Sequence, residues 1–269
     1  MNLVYSIPAG LLLLVALALA IAAVGVGQIF VHRKFSHREL LDHNEVGGIL
    51  IVVSGTIYAV ILGFLTVVAW QHFTEARDIV VAESDADIDA WHTAIGLPDA
   101  VRRRVRADMV QYADFMIKQE WSGMRRGQFN EIPAIISMDA MDAVGGFVPA
   151  NSGEANAQVA TLQQLNVLHD GRQRRIAMNE SGVSWFEWLV LLIGASCVIC
   201  FCWLFCLRNP RTQLTMTATV AILIVSILVL LFELQFPFRS NIAIGPEAWQ
   251  RASAHIQEME TGHLMNMRM

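Results

Sequence analysis

The sequence contains few charged residues. Only 16% of its 269 residues are Asp, Glu, Lys or Arg, whereas soluble domains carry about 25%. Most of the chain is apolar, with 55% hydrophobic residues and a mean hydropathy of +0.46. This composition excludes an ordinary soluble domain and predicts an integral membrane protein.

Cysteine is scarce and confined to one stretch. All four cysteines lie in a single apolar run, at Cys197, Cys200, Cys202 and Cys206. Because the polar regions contain none, we expect no disulfide framework. The C-x-x-C spacing fits helix packing or lipid contact better than redox chemistry.

Signatures of catalysis and of nucleotide binding are missing. The sequence has no Gly-rich phosphate loop, no Ser nucleophile motif and no H-E-x-x-H zinc motif. The middle segment, residues 71–184, has 16 acidic and 11 basic residues, a balance opposite to that of nucleic-acid-binding proteins. We therefore predict no enzyme, no cofactor and no nucleic-acid partner.

Two patterns imitate metal sites. The run "DADID" resembles the start of a calcium loop, but Ala90 and Gly96 stand where that loop needs Gly and Glu. We interpret its acids as a solvated helix face. Three histidines, His32, His37 and His43, share no helical face and leave open only a metal site in a loop. We predict no metal.

Four apolar runs are long enough to cross a bilayer: about Ile7–Val31, Val46–Trp70, Trp185–Leu207 and Leu214–Leu234. The first lacks preceding positive charge and is too long for a signal peptide, so we interpret it as a retained helix. The predicted fold is all-α, a four-helix transmembrane bundle with a helical extramembrane domain inserted between spans two and three. Its parts are residues 1–70, 71–184 (the domain), 185–237 and a C-terminal tail, 238–269.

The inserted domain is predicted to consist of a few long helices. No proline or glycine follows span two before Gly96, so this helix continues out of the membrane. A second helix with an apolar stripe begins near Asp99. Two more helices cover about Ile132–Val144 and Glu154–Asn179, and the last also has an apolar stripe.

The distribution of positive charge predicts the orientation in the cell membrane. The two short loops contain five basic residues, Arg33, Lys34, Arg38, Arg208 and Arg211. Arg172, Arg174 and Arg175 before span three oppose this trend. On balance we expect cytoplasmic short loops, with the middle domain and both termini outside.

Span two carries small and hydroxylated residues on one side. On a helical wheel, six residues fall within about one third of the circumference: Gly48, Gly55, Thr56, Ala59, Gly63 and Thr66. This set, the small face, would pack against another helix of the same subunit or border a pore. Asn44 is expected to cap the first turn, and Tyr58 to hydrogen-bond to a neighbour.

Two carboxylates lie near span ends. Glu187 and Glu233 are expected at the outer mouth of a pore, where they would concentrate cations. The alternative is interfacial anchoring, with Glu233 paired to Arg239 and Glu187 held among tryptophans.

Several of these stretches resemble the bestrophin-like family. The likeness is carried by "DHNEVGGILIVVSGTIYAVILGF", by "EW" at Glu120–Trp121 and by "PF" at Pro237–Phe238, and it extends from about Asp42 to Pro246. Bestrophins are pentameric anion channels with four spans per subunit, so the resemblance implies an oligomeric channel. No calcium clasp or phenylalanine-rich neck matches residue by residue, so the ion stays open.

These observations predict a homo-oligomeric ion channel, with membrane lipid, inorganic ions and further copies of the chain as partners. The resemblance implies a pentamer, with five copies in all. The alternative is a non-conducting sensor or scaffold whose extramembrane domain binds a ligand or partner. Cross-linking separates the two, because only a pore places the small faces around a common axis.

Overall fold

The computed structural model describes residues 7–34, 44–205, 207 and 209–266, with the backbone alone for residues 44–46 and 263–266. Every regular element in these residues is helical, which confirms the predicted all-α fold. The helices are α1 (Ala9–Lys34), α2 (Asn44–Thr93), α3 (Asp99–Phe115), α4 (Trp121–Met124), α5 (Ile132–Gly145), α6 (Ser152–Glu180), α7 (Trp185–Leu204), α8 (Pro210–Leu234) and α9 (Glu247–Asn266). Five residues discussed above lie outside the described part: His37, Arg38, His43, Cys206 and Arg208.

The chain divides into two compact units. One comprises Met1–His72 and Gly182–Gln235, and the other comprises Phe73–Ser181 and Phe236–Met269. Helix α2 contributes to both, because no proline or glycine interrupts it after Gly63. It ends in a short 3₁₀ turn, Ala94–Gly96, at the position predicted from the sequence.

The first unit contains four helices whose length and composition suit a membrane crossing, in α1, α2, α7 and α8. This agrees with the four predicted spans. Few residues in the most apolar stretch of each helix are buried within the chain, from 6% of the stretch in α1 to 28% in α8. The remaining apolar surface is therefore available to lipid or to other chains.

Close contacts hold the helices of the first unit together. In α1, Gln28 donates a hydrogen bond from Nε2 to the carbonyl of Pro210 in α8, at 3.1 Å. The neighbouring Gly27 lies against the indole ring of Trp203 in α7. Because glycine has no side chain, the indole ring can lie directly against the α1 backbone there.

The second unit has its own hydrophobic core. Helices α3, α5 and α6 cover the three stretches that the sequence predicted to be helical in the inserted domain. Tyr112, Leu165, Leu168 and Trp249 are fully buried in this core.

Trp249 belongs to α9, in the segment that was predicted from the sequence to be a C-terminal tail. Together with Ala248, Ala252 and Ile256 it forms a buried stripe. Two of these four residues are alanines, so the stripe is weak in the sequence. The C-terminal residues are therefore part of the second unit.

Candidate functional site

The membrane portion of α2 has three distinct faces. Tyr58, Leu62 and Ala69 are buried and define the face that packs within the chain. On a helical wheel the small face lies about 80° away from this packed face. The large apolar residues, such as Val60 and Phe64, are exposed and point away from both.

The small face is open in the single chain. A Cβ atom placed on Gly48, Gly55 or Gly63 would meet no atom within 4 Å outside the helix's own nearby backbone. Thr56 and Ala59 are exposed. In the described residues these glycines therefore have room for a side chain, and the choice between packing and a pore border stays a prediction.

A groove runs beside the small face. It has a volume of about 310 Å³ and is lined on α2 by Gly55, Tyr58, Ala59, Leu62 and Gly63. Valine, leucine and isoleucine side chains of α7 and α8 form the opposite wall. The groove is thus almost wholly apolar.

The threonine hydroxyl groups of α2 donate hydrogen bonds to backbone carbonyls of the same helix. Thr56 donates to the carbonyl of Val52 at 2.7 Å, and Thr66 donates to that of Leu62 at 2.7 Å. Such a bond gives the hydroxyl hydrogen an acceptor in an apolar medium, while the hydroxyl oxygen can still accept a hydrogen bond from another group. The two threonines therefore remain potential acceptors.

Tyr58 packs its ring against Gly194 of α7, where any Cβ atom would overlap the ring. Its hydroxyl is buried and has no hydrogen-bond partner. The predicted bond to a neighbour is therefore not made within the described residues. Asn44 begins α2, but its predicted capping side chain lies outside the described part.

Glu187 caps the first turn of α7. Its Oε2 accepts from the Ser184 backbone N–H at 2.7 Å, and the Ser184 hydroxyl accepts from the Glu187 N–H at 3.3 Å, which completes a capping box. Glu187 also lines an apolar groove of about 410 Å³ together with Val60 and Phe64. It thus lies on the side of α2 opposite the small face, about 170° away on the wheel.

Glu233 is buried in the last turn of α8 and has interaction partners within the chain. Near it, the Trp188 indole donates to Gln235 Oε1 at 3.0 Å. The Trp188 ring also contacts Phe232, with ring centroids 6.3 Å apart. The start of α7 and the end of α8 therefore lie together.

Arg239 contacts the end of α6 and a glycine turn within the second unit. Its guanidinium donates to Asn179 Oδ1 at 3.1 Å and to the Asn179 carbonyl at 2.6 Å. It also lies over Gly127, whose φ of +71° is a conformation that other residues rarely adopt. The sequence did not identify these contacts of Arg239, and its expected pairing with Glu233 stays a prediction.

A buried ionic cluster in the second unit was not predicted. The Arg175 guanidinium binds both carboxylate oxygens of Glu83, at 2.6 and 3.1 Å. The Tyr112 hydroxyl donates to the same carboxylate at 2.9 Å. All three residues are fully buried, although Arg175 had been counted as a charge flanking span three.

A π-helical segment, Met116–Glu120, brings a second carboxylate to this cluster. Glu120 lies 3.6 Å from Arg172 and 3.8 Å from Arg175. Burial raises its pKa, while the two arginines oppose that rise. An extra residue in the helical turn could not be inferred from the apolar stripe alone.

The "EW" and "PF" stretches meet in this core. The Trp121 and Phe238 rings pack edge to face with centroids 6.1 Å apart. The Trp121 indole also donates to the carbonyl of Ile244 at 2.9 Å. These two pieces of the resemblance are therefore parts of one packing arrangement.

Asp87 corrects the interpretation of "DADID" as a solvated face. Asp85 and Asp89 are exposed, but Asp87 is fully buried, and neither of its carboxylate oxygens has a hydrogen-bond partner. Burial, and to a lesser extent the charge of Glu83, raises its pKa well above the ordinary value.

Solved structures with the same fold include bacterial proteins. Two are mutants of a bestrophin homologue from Klebsiella pneumoniae, each 15% identical, with TM-scores of 0.69 and 0.68. The alignments cover 91% of this chain and 99% and 98% of those chains. A third, described as a membrane protein, is 14% identical with a TM-score of 0.68 and covers 92% of this chain and 97% of its own.

The comparison with curated protein sequences returns no match. A family model for the bestrophin-like domain matches residues 17–249, which is most of the chain. The resemblance seen in the sequence is thereby confirmed, and the chain belongs to the bestrophin-like family.

Proposed function

We propose that the protein is an ion channel formed by several copies of this chain around a common axis. The observation that carries the proposal is the open small face of α2, where a Cβ atom on Gly55 or Gly63 would meet no neighbouring atom of the described residues within 4 Å. Family membership supports it, and a solved structure with the same fold is described as a bacterial bestrophin homologue.

The physical reason concerns what a membrane helix gains from small side chains. Helices in lipid associate through close backbone approach and hydrogen bonds rather than through the hydrophobic effect. Large apolar residues suffice for lipid contact, and α2 has these on its other side. A face of small side chains leaves room for a helix of another copy, or for water and ions.

This proposal assigns the pore wall to the small face of α2 and leaves the ion unspecified. Glu187 lies on the opposite side of the helix, in a groove with large apolar residues. We therefore do not place Glu187 in the pore, although the sequence suggested an outer mouth. The proposal gives Glu233 no role in ion selection.

Ion flux from proteoliposomes tests the proposal. The purified protein should carry flux, and Gly55→Leu or Gly63→Leu should reduce it about tenfold or more, because a leucine side chain fills space at a constriction or between copies. Absence of flux from the parent protein under any ion gradient, voltage or tension would contradict channel function.

Gly25→Leu provides a matched control. Gly25 lies in membrane helix α1, and a Cβ atom there also meets no atom within 4 Å. The substitution adds the same apolar volume to a different exposed helix, so flux should stay at the parent level. An equal loss of flux in this variant would show that the effect is not specific to the small face.

Charge distribution further leads us to propose cytoplasmic short loops and an outer second unit. Cysteines introduced by Asn156→Cys and Thr212→Cys, both at exposed positions, can be labelled on intact cells with an impermeant maleimide. Asn156→Cys should react above the background of the parent chain. If only the Thr212→Cys variant were labelled, the orientation would be the opposite of the one proposed here.

A further inference from the structure

A second groove of the first unit has a charged side chain in its wall. It lies between α2 and α7, has a volume of about 410 Å³, and is called here the α2–α7 groove. One carboxylate and otherwise apolar side chains line it: Val60, Ile61, Phe64 and Leu65 of α2, with Phe186, Glu187 and Val190 of α7. A carboxylate beside apolar surface at membrane depth is costly unless a polar partner meets it.

The groove lies near one end of the apolar layer. Leu65 lies five residues before Trp70, where the apolar run of α2 ends, which corresponds to a rise of about 7.5 Å. Glu187 lies in the first turn of α7, and polar residues precede that helix. A molecule in the groove therefore has its apolar part in the hydrocarbon layer and its other end at the boundary.

The Glu187 carboxylate is turned toward that boundary. Its Oε2 accepts from the backbone N–H of Ser184 at 2.7 Å, and Ser184 lies three residues, or about 4.5 Å, nearer to the start of the helix. Among the described residues, Oε1 accepts no hydrogen bond and no basic side chain pairs with this carboxylate. A negative charge thus lies at the end of an apolar groove without a positive partner from the chain.

Two exposed aromatic rings precede the carboxylate in the sequence. Trp185 is 77% exposed and Phe186 is 59% exposed, and their rings pack edge to face with centroids 5.9 Å apart. Tryptophan is enriched where the hydrocarbon layer meets the headgroups, and its ring face attracts ammonium groups. The rings therefore suit the same kind of positive group that the carboxylate attracts.

A phospholipid with an amine-bearing headgroup combines the required features. Its acyl chain matches the apolar groove, and its ammonium group is complementary to the carboxylate. A headgroup without an amine brings only a phosphate, which Glu187 repels. The groove also lies about 170° away from the small face on the helical wheel, so copies that meet through the small face leave it to lipid.

We infer that the α2–α7 groove binds a phospholipid with an amine-bearing headgroup. An acyl chain lies against Phe64 and Val190, and the ammonium group lies at Glu187. This inference goes beyond the proposed channel, because it gives Glu187 a role in lipid binding outside the pore. It rests on the proposed assembly only in that the assembly leaves this side of α2 open to lipid.

Native mass spectrometry of the purified protein with phosphatidylethanolamine or phosphatidylglycerol of the same acyl chains tests the inference. The parent protein should retain the ethanolamine lipid about twofold to fivefold more strongly, which is the effect of one partly exposed ion pair. Glu187→Gln should abolish this preference because it removes the charge. The glutamine can still accept from Ser184, so the helix cap is kept.

Glu75→Gln is the matched control, because Glu75 is an exposed carboxylate of α2 beyond its apolar run and should not affect the preference. Equal retention of the two lipids by the parent protein would overturn the inference, as would an unchanged preference in Glu187→Gln. An equal loss in Glu75→Gln would also overturn it, since the preference would then reflect overall charge. Retained lipid is counted without reference to flux, so a protein that shows this preference but carries no flux would support the lipid site and contradict the channel.

Discussion

Asp87 lies in the core of the second unit as a carboxyl group without a hydrogen-bond partner. Its raised pKa, caused first by burial and then by Glu83, favours the protonated form, which is neutral and less costly to bury. The folded unit therefore holds a proton at Asp87 under conditions in which the unfolded chain has released it.

The Asp87→Asn substitution should make the second unit more stable at neutral pH. Because the folded pKa is raised, stability falls as the pH rises above the unfolded value of about 3.9, by up to about 1.4 kcal/mol per pH unit until the folded pKa is reached. A neutral amide removes this loss. Thermal unfolding between about pH 5 and pH 8 should show a higher midpoint and a weaker pH dependence.

Asp89→Asn is the matched control, since Asp89 is exposed two residues further along the same helix. It should leave the pH dependence as in the parent protein. If Asp87→Asn retained the full pH dependence, Asp87 would not be the group that takes up the proton.

The environments of individual residues in the folded protein were the hardest feature to predict from the sequence. The alternation "DADID" is compatible with a solvated helix face, and nothing local shows that Asp87 turns toward the core. Likewise Arg175 and Glu83 are 92 residues apart, so their pairing depends on how α6 packs against α2. Such contacts follow from tertiary structure rather than from local pattern.

Helix α2 shows what the sequence determines well at the scale of an element. Its uninterrupted length follows from the absence of glycine and proline after Gly63, and its end follows from Gly96 and Pro98. A helical wheel of its membrane portion also places the small residues and the large apolar residues on different faces of the helix. Which face packs against α7 could not be inferred, because that contact depends on Gly194 in a distant span.

The contact between α2 and α7 should be sensitive to one methyl group. Gly194→Ala forces a Cβ atom into the Tyr58 ring, and such overpacking typically costs about 1–3 kcal/mol. The variant should lower the thermal unfolding midpoint of the protein in detergent, followed by its helical circular dichroism.

Gly25→Ala serves as the control for this substitution, because its Cβ atom meets nothing within 4 Å. The midpoint should stay at the parent value or rise slightly, since alanine favours helix more than glycine does. Equal midpoints for the parent and Gly194→Ala would show that Tyr58 moves aside without loss.

At the scale of the whole molecule, composition and apolar runs were sufficient to predict a helical membrane protein with four spans. The assignment of residues 238–269 to a separate tail did not anticipate helix α9, because its buried stripe consists partly of alanines and is short. The sequence also left open whether the small face serves the subunit or the assembly. The room for a Cβ atom at Gly48, Gly55 and Gly63 among the described residues supports the proposed role in the assembly.

A direct image of the purified protein in a lipid bilayer tests the central claim, since it gives the number of copies and the surroundings of α2. We expect a ring of several copies in which Gly55, Ala59 and Gly63 contact a neighbouring copy or border a central cavity. A single chain whose small face is covered by acyl chains would contradict the proposed channel.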